Sequence, residues 1–248
     1  MPICISDISG NALKGKIITE ISAGSRSHII AIDTEGKVYT WGYNYYGQLG
    51  DGTTKGKSAP VCISNISENI LNGKKIVQIS AGKYYCTAAV DEDSKVYTWG
   101  YNYYGQLGDG TTTNSNVPIC ISNMTGNILQ EKKITQISLG DNHMVALDID
   151  EKVYTWGSNS YGQLGQGLTS GSNVPICISD MSESILGKKK VVQISAGDWQ
   201  TVAIDEEGKV YTWGSNYYGQ LGDGTNMYSF WPMCISDMSK NALQGKKY

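Results

Sequence analysis

Three observations predict an all-β fold, a β-propeller of four-stranded antiparallel blades, four of them in this chain. First, Lys37-Val38-Tyr39-Thr40-Trp41-Gly42 recurs at 95–100, 152–157 and 209–214, giving a repeat of 57–58 residues. Second, each repeat holds four short runs of β-branched and aromatic residues bounded by Gly, Asn, Asp and Ser. Third, 30 glycines and dipeptides such as Asp51-Gly52, Asp109-Gly110 and Asp223-Gly224 supply tight turns. Four strands per repeat, at a period of about 40 residues or more, is the pattern of propeller blades.

The elements follow in order along the second repeat. Val61-Cys62-Ile63-Ser64 reads as the first strand and Lys75-Ile76-Val77-Gln78-Ile79-Ser80 as the second. Cys86-Thr87-Ala88-Ala89-Val90 reads as the third and Lys95-Val96-Tyr97-Thr98-Trp99 as the fourth. This phase divides one repeat domain, 1–248, into repeats at about 2–59, 60–117, 118–174 and 175–231, with a fifth, partial repeat at 232–248. After each Trp-Gly comes Asn-x-x-Gly-Gln-Leu-Gly, and Gln166-Gly167 replaces the Asp-Gly turn in the third copy.

A Pro-x-Cys-Ile-Ser segment occurs five times and holds five of the six cysteines, at 4, 62, 120, 177 and 234. Equivalent positions in successive blades lie beyond the limit of about 7 Å between Cα atoms that a disulfide tolerates. These thiols are therefore expected to pack in the core as small hydrophobes. No CxxC pair is present, so no metal site is expected. The net charge of −3 and the lack of a basic stripe argue against nucleic acid as a partner. No apolar run reaches the roughly 20 residues of a membrane span, and no signal peptide opens the chain. Reduced cysteines favour a cytoplasmic compartment.

The pattern Ile21-Ser22-Ala23-Gly24, His28, Ala31-Ile32-Asp33, Gly36-Lys37-Val38-Tyr39-Thr40-Trp41-Gly42 and Asn44 to Gly50 resembles the regulator-of-chromosome-condensation repeat. The resemblance covers essentially the whole chain in four consecutive copies. It implies a β-propeller, which in that family has seven blades as a rule. Four repeats fall short of such a ring, so the chain is expected to be part of a longer propeller or to close its ring with a second copy. Two copies forming an eight-bladed ring is the simplest two-fold case. The family's blade histidine falls on His28, Cys86, His143 and Gln200. Its replacement in two of four copies points to structural hydrogen bonding rather than to a catalytic base. No nucleophile–base set, paired carboxylates or phosphate loop recurs, so neither an enzyme nor a cofactor is expected.

In antiparallel blades, successive loops alternate between two faces. One face gathers Ser25-Arg26-Ser27, Lys83-Tyr84-Tyr85, Asp141-Asn142 and Asp198-Trp199, together with the Tyr- and Asn-rich loops that follow each Trp-Gly. Tyr, Ser, Asn and Gly with occasional Trp and Arg suit adaptable protein binding. The candidate partner-binding residues are Arg26, Tyr43, Tyr45, Tyr84, Tyr85, Tyr101, Tyr103, Asp198, Trp199, Tyr228 and Trp231. The tyrosine just before Gly-Gln-Leu-Gly (Tyr46, Tyr104, Tyr161, Tyr218) is present in all four copies and is expected to pack between blades. A non-catalytic interaction propeller is the leading reading. Guanine-nucleotide exchange on a small GTPase, implied by the resemblance, is the runner-up; the repeats show no insertion to reach a nucleotide. A self-assembling structural module, or an engineered fragment of a longer propeller, is the third.

Overall fold

The computed structural model describes residues 4–25 and 28–238. Its four sheets of four antiparallel strands are the blades. Blade 1 comprises β1 (Ile18–Gly24), β2 (His28–Asp33), β3 (Val38–Gly42) and β4 (Lys57–Cys62). Blade 2 comprises β5 (Ile76–Ala81), β6 (Cys86–Asp91), β7 (Val96–Gly100) and β8 (Ser115–Cys120). Blade 3 comprises β9 (Ile134–Leu139), β10 (His143–Asp148), β11 (Val153–Gly157) and β12 (Ser172–Cys177). Blade 4 comprises β13 (Val191–Ala196), β14 (Gln200–Asp205), β15 (Val210–Gly214) and β16 (Ser229–Cys234). Within each sheet the strands follow chain order, and β1, β5, β9 and β13 pack successively against one another. The result is a partial propeller, an open arc of four blades.

The strand order corrects the sequence reading. Pro-x-Cys ends the fourth strand of each blade instead of opening the first, and the following Ile-Ser turns into a 3₁₀ segment, as at Ile63–Asn65. Proline explains the placement: it donates no ladder hydrogen bond and is tolerated at a sheet edge. The 3₁₀ turn is fixed by Ser64, whose Oγ accepts the Val38 amide at 3.0 Å; Ser122, Ser179 and Ser236 repeat the bond. Cysteine burial is also less uniform than expected. Cys120 and Cys177 are buried, Cys62 and Cys234 are half-buried and Cys4 is exposed. The position lies at the outer end of the blade, so its cover depends on neighbouring segments.

One polar bond recurs inside every blade. Tyr39 Oη donates to Asp33 Oδ2 at 2.8 Å, and Tyr97–Asp91, Tyr154–Asp148 and Tyr211–Asp205 do the same at 2.8 Å. The other carboxylate oxygen accepts the amide of the lysine that opens the next strand, as with Lys37 at 2.9 Å. This explains why Ala-x-Asp and Lys-Val-Tyr recur together.

The seams between blades are equally regular. Trp99, Trp156 and Trp213 are fully buried and donate through Nε1 to the carbonyls of Gln48, Gln106 and Gln163 in the preceding blade, at 2.9–3.0 Å. Gly50 lies beneath the Trp99 indole at φ +70°, where a Cβ would come within 2.7 Å of Nε1. His28 Nε2 lies 3.1 Å from Thr87 Oγ1, and that hydroxyl donates to the Gln48 carbonyl at 2.8 Å. His143 and Thr201 repeat the arrangement at 3.0 Å and 2.9 Å. Both histidines are thus structural bridges between blades.

Candidate functional site

The loops joining first to second and third to fourth strands emerge on one face, because registers such as Gly24↔His28 and Gly42↔Lys57 close at the same end. A buried asparagine shapes each third-to-fourth loop. Asn44 Oδ1 accepts the Leu49 amide at 2.9 Å, while its Nδ2 donates to the carbonyls of Thr53 and Lys55 at 3.0 and 3.2 Å. Gln48 Oε1 accepts the Tyr46 amide at 3.1 Å. With Asn44 and the Gln48 carboxamide oxygen bonded inside, the loop turns Tyr43 and Tyr45 outward.

Eight tyrosines from blades 1 and 2 form one continuous ring network. Tyr46 meets Tyr85 and Tyr101, each at 4.9 Å between centroids, and Tyr43 meets Tyr85 at 5.2 Å. Tyr43–Tyr45 and Tyr101–Tyr103 are stacked at 6.5 and 6.4 Å. Tyr84 joins through Tyr85, and Tyr104 through Tyr101 and Tyr103. Tyr45 and Tyr103 are each 67% exposed. The rings hold one another in place, so little side-chain freedom remains to be lost on contact. Tyr85 sits at the centre with φ +58°, a left-handed conformation unfavourable for a bulky side chain. Its carbonyl accepts the Tyr101 amide at 2.9 Å, which ties the strained turn to the neighbouring tyrosine loop.

A second aromatic group joins Tyr161 of blade 3 to Trp199 and Tyr228 of blade 4, at 5.3 and 5.4 Å. Trp231 is half-buried across Gly167 of the neighbouring loop, which places it in blade packing. Asp198 pairs with Lys83, so a loop of blade 2 is tied to a loop of blade 4; this bond raises the lysine pKa. That link spans 115 residues and left no signal in the sequence. Arg26 lies outside the described residues. Of the four tyrosines expected between blades, Tyr46 and Tyr161 pack there. Tyr104 is 44% exposed and Tyr218 82%. The blade after Tyr104 presents Asp141-Asn142 and Ser158 in place of tyrosines, and among the described residues none packs beyond the blade of Tyr218.

The opposite face carries polar turns, with a cleft of about 380 Å³ lined by Glu35, Lys37, Asn72, Lys74 and Lys75 among others. No cluster of three metal-ligating side chains occurs among the described residues.

Repeated four-stranded blades, joined through Trp–Gln-carbonyl seams, define a propeller-type repeat protein. The chain belongs to the RCC1-like domain family, whose model matches residues 6–247. It is similar to the ultraviolet-B receptor UVR8 of Arabidopsis thaliana, 36% identical over 216 residues, which cover 87% of this chain and 45% of the receptor. It is also similar to the E3 ubiquitin-protein ligase HERC2 of Homo sapiens, 32% identical over 237 residues, covering 95% of this chain and 4% of the ligase. Human WBSCR16 shares the fold at a TM-score of 0.73 and 27% identity, over 89% of this chain and 53% of that one. Yeast RCC1 (Prp20), solved bound to Kap60, shares it at 0.70 and 20% identity, over 90% of this chain and 49% of that one. The chain therefore spans less than half of these curated relatives and about half of these solved propellers.

Proposed function

We propose that this chain is a non-catalytic protein-interaction propeller whose partner docks on the tyrosine network of blades 1 and 2. The observation that carries the reading is the continuity of that network. Eight mutually packed rings, several of them outward-facing, offer a large contact area at low entropic cost. Tyr161, Trp199 and Tyr228 form a second anchor on the same face. The similar fold of yeast RCC1 is named with Kap60 as a bound protein, which supports protein recognition as a use of such a scaffold. A second part of the reading is self-association: the two ends of the arc are covered by further blades when the protein works.

The test is affinity capture with the purified chain, followed by titration of the identified partner against a Tyr84→Ala/Tyr85→Ala/Tyr103→Ala variant. Hot-spot aromatics typically cost about 2 kcal/mol or more each when truncated, so affinity should fall at least roughly a thousandfold. Undiminished affinity would remove the tyrosine face from the reading. Accelerated nucleotide release from a small GTPase, unaffected by the same substitutions, would favour exchange activity instead.

A further inference from the structure

The two ends of the arc carry opposite halves of one seam. At each internal seam, the first strand of one blade presents two polar side chains to amides of the next blade's first strand. Glu20 Oε1 and Ser22 Oγ accept from Ile79 and Ala81 at 3.3 and 3.0 Å. Gln78 and Ser80 accept from Ile137 and Leu139 at 2.9 and 3.2 Å, and Gln136 and Ser138 from Ile194 and Ala196 at 3.1 and 2.9 Å. Blade 4 carries the same pair, Gln193 and Ser195, and both are exposed. The amides in matching positions on blade 1 are those of Ile21 and Ala23.

The apolar halves match as well. Ile79, Ile137 and Ile194 are 4, 4 and 7% exposed inside their seams, whereas Ile21, at the same position, is 72% exposed. It borders a groove of about 310 Å³ lined by Ile18, Ala23, Ile29, Ala31 and Trp41. On the far end of the arc, Val202, Ile204 and Val210 are partly exposed, although their counterparts Val145, Leu147 and Val153 are 0–3% exposed. Trp41 alone among the four blade tryptophans is not fully covered.

We infer that the end face of one copy seats on the leading face of a second copy, twice over, to close an eight-bladed two-fold ring. This rests on the reading that the arc's ends are covered. Gln193 and Ser195 accept from the amides of the partner's Ile21 and Ala23, and the Gln220 carbonyl receives the indole of the partner's Trp41. Val202, Ile204 and Val210 cover the partner's Ile21 groove. The seam is heterologous, and two copies with four blades each return to the starting face, so it closes without leaving an open end. The sequence Asn-Ala-Leu occurs at 11–13 and again at 241–243, the second copy outside the described residues. Leu13 is 3% exposed on blade 1, where it covers the apolar seam.

The test is light scattering combined with sedimentation of the full chain. The expected mass is twice the 26.9 kDa of one chain, without larger species. Ile21→Lys and Val202→Lys each put a charge into an apolar seam, and each should weaken dimerisation by roughly a hundredfold or more. Mixing the two variants restores one sound seam and should recover a dimer, which also shows that both variants fold. A compact monomer, an open polymer, or a dimer indifferent to both lysines would overturn the proposal. So would a mixture of the two variants that stays monomeric. A dimer lost only on Tyr84→Ala/Tyr85→Ala would move self-association to the tyrosine face. Partner binding that persists in the Ile21→Lys monomer would leave the tyrosine reading standing on its own.

Discussion

Lowering the pH from 7 to 5 should weaken the fold through two imidazoles that it holds neutral. Burial depresses the pKa of His28 and of His143 to about 4 each, and both rings are almost completely covered. Each Thr hydroxyl gives its proton to a Gln carbonyl, so it accepts from His Nε2–H, which leaves Nδ1 deprotonated. Nδ1 lies buried without a hydrogen-bond partner against Gly24 or Gly140, and burial penalises the charged ring by more than the Cys86 backbone near His28 offsets. Because the folded pKa lies below the unfolded value of about 6.5, the stabilisation is complete above that pH. It is lost as pH falls from about 6.5 towards 4. The linkage integral gives about 2 kcal/mol per histidine at pH 5 and about 3 at pH 4, so about 4 kcal/mol in total at pH 5. The assay is urea unfolding at closely spaced pH values, for the native chain and for His28→Gln/His143→Gln, which copies the residue found at Gln200. The native chain should lose stability steeply between pH 6.5 and 4 and the double variant should show a much flatter profile. Equal slopes in both proteins, or histidine titrations near 6.5 by NMR, would refute the reasoning.

Three further perturbations probe the repeat. Tyr97→Phe leaves Asp91 without its buried hydroxyl donor and should cost about 1–3 kcal/mol in urea unfolding. Gly50→Ala combines a positive φ with a clash against the Trp99 indole, so a loss of about 2 kcal/mol or more is expected in thermal melts. Tyr85→Asn relieves the left-handed strain while it removes ring contacts. Its stability should stay within about 1 kcal/mol of the native chain, and partner affinity measured by calorimetry should fall at least tenfold.

The repeat, the strand content and the alternation of faces were legible because each residue pattern occurs four times and tertiary packing merely multiplies it. The phase of the blade was not. Val61-Cys62-Ile63-Ser64 is a single β-branched run, and nothing local shows that Ser64 leaves the ladder to cap Val38. The structural role of the histidine position was readable from its replacement by Cys86 and Gln200, but its partner Thr87 was not, since 59 residues separate it from His28. Tyr43, Tyr45, Tyr84, Tyr85, Tyr101 and Tyr103 are legible on one face from the alternation of loops and from composition. That they touch depends on two adjacent loops presenting tyrosine at once, whereas Tyr104 faces Asp141-Asn142 and stands out from the surface. The Lys83–Asp198 tie across blade 3 belongs to the curvature of the arc, which no single repeat encodes.

The bonds between neighbouring first strands have one sense: side chains of one blade accept from main-chain amides of the next, while the Trp indoles bond back to carbonyls of the preceding blade. A blade added by tandem duplication therefore inherits a working donor edge and a working acceptor edge at once, and lengthening the array requires no compensating mutation. Stability in such an array approximates a nearest-neighbour sum. In the closed ring every blade has two seams, so all four should exchange their amide hydrogens at similar rates, whereas in the Ile21→Lys monomer the terminal blades, with one seam each, should exchange before the two inner ones.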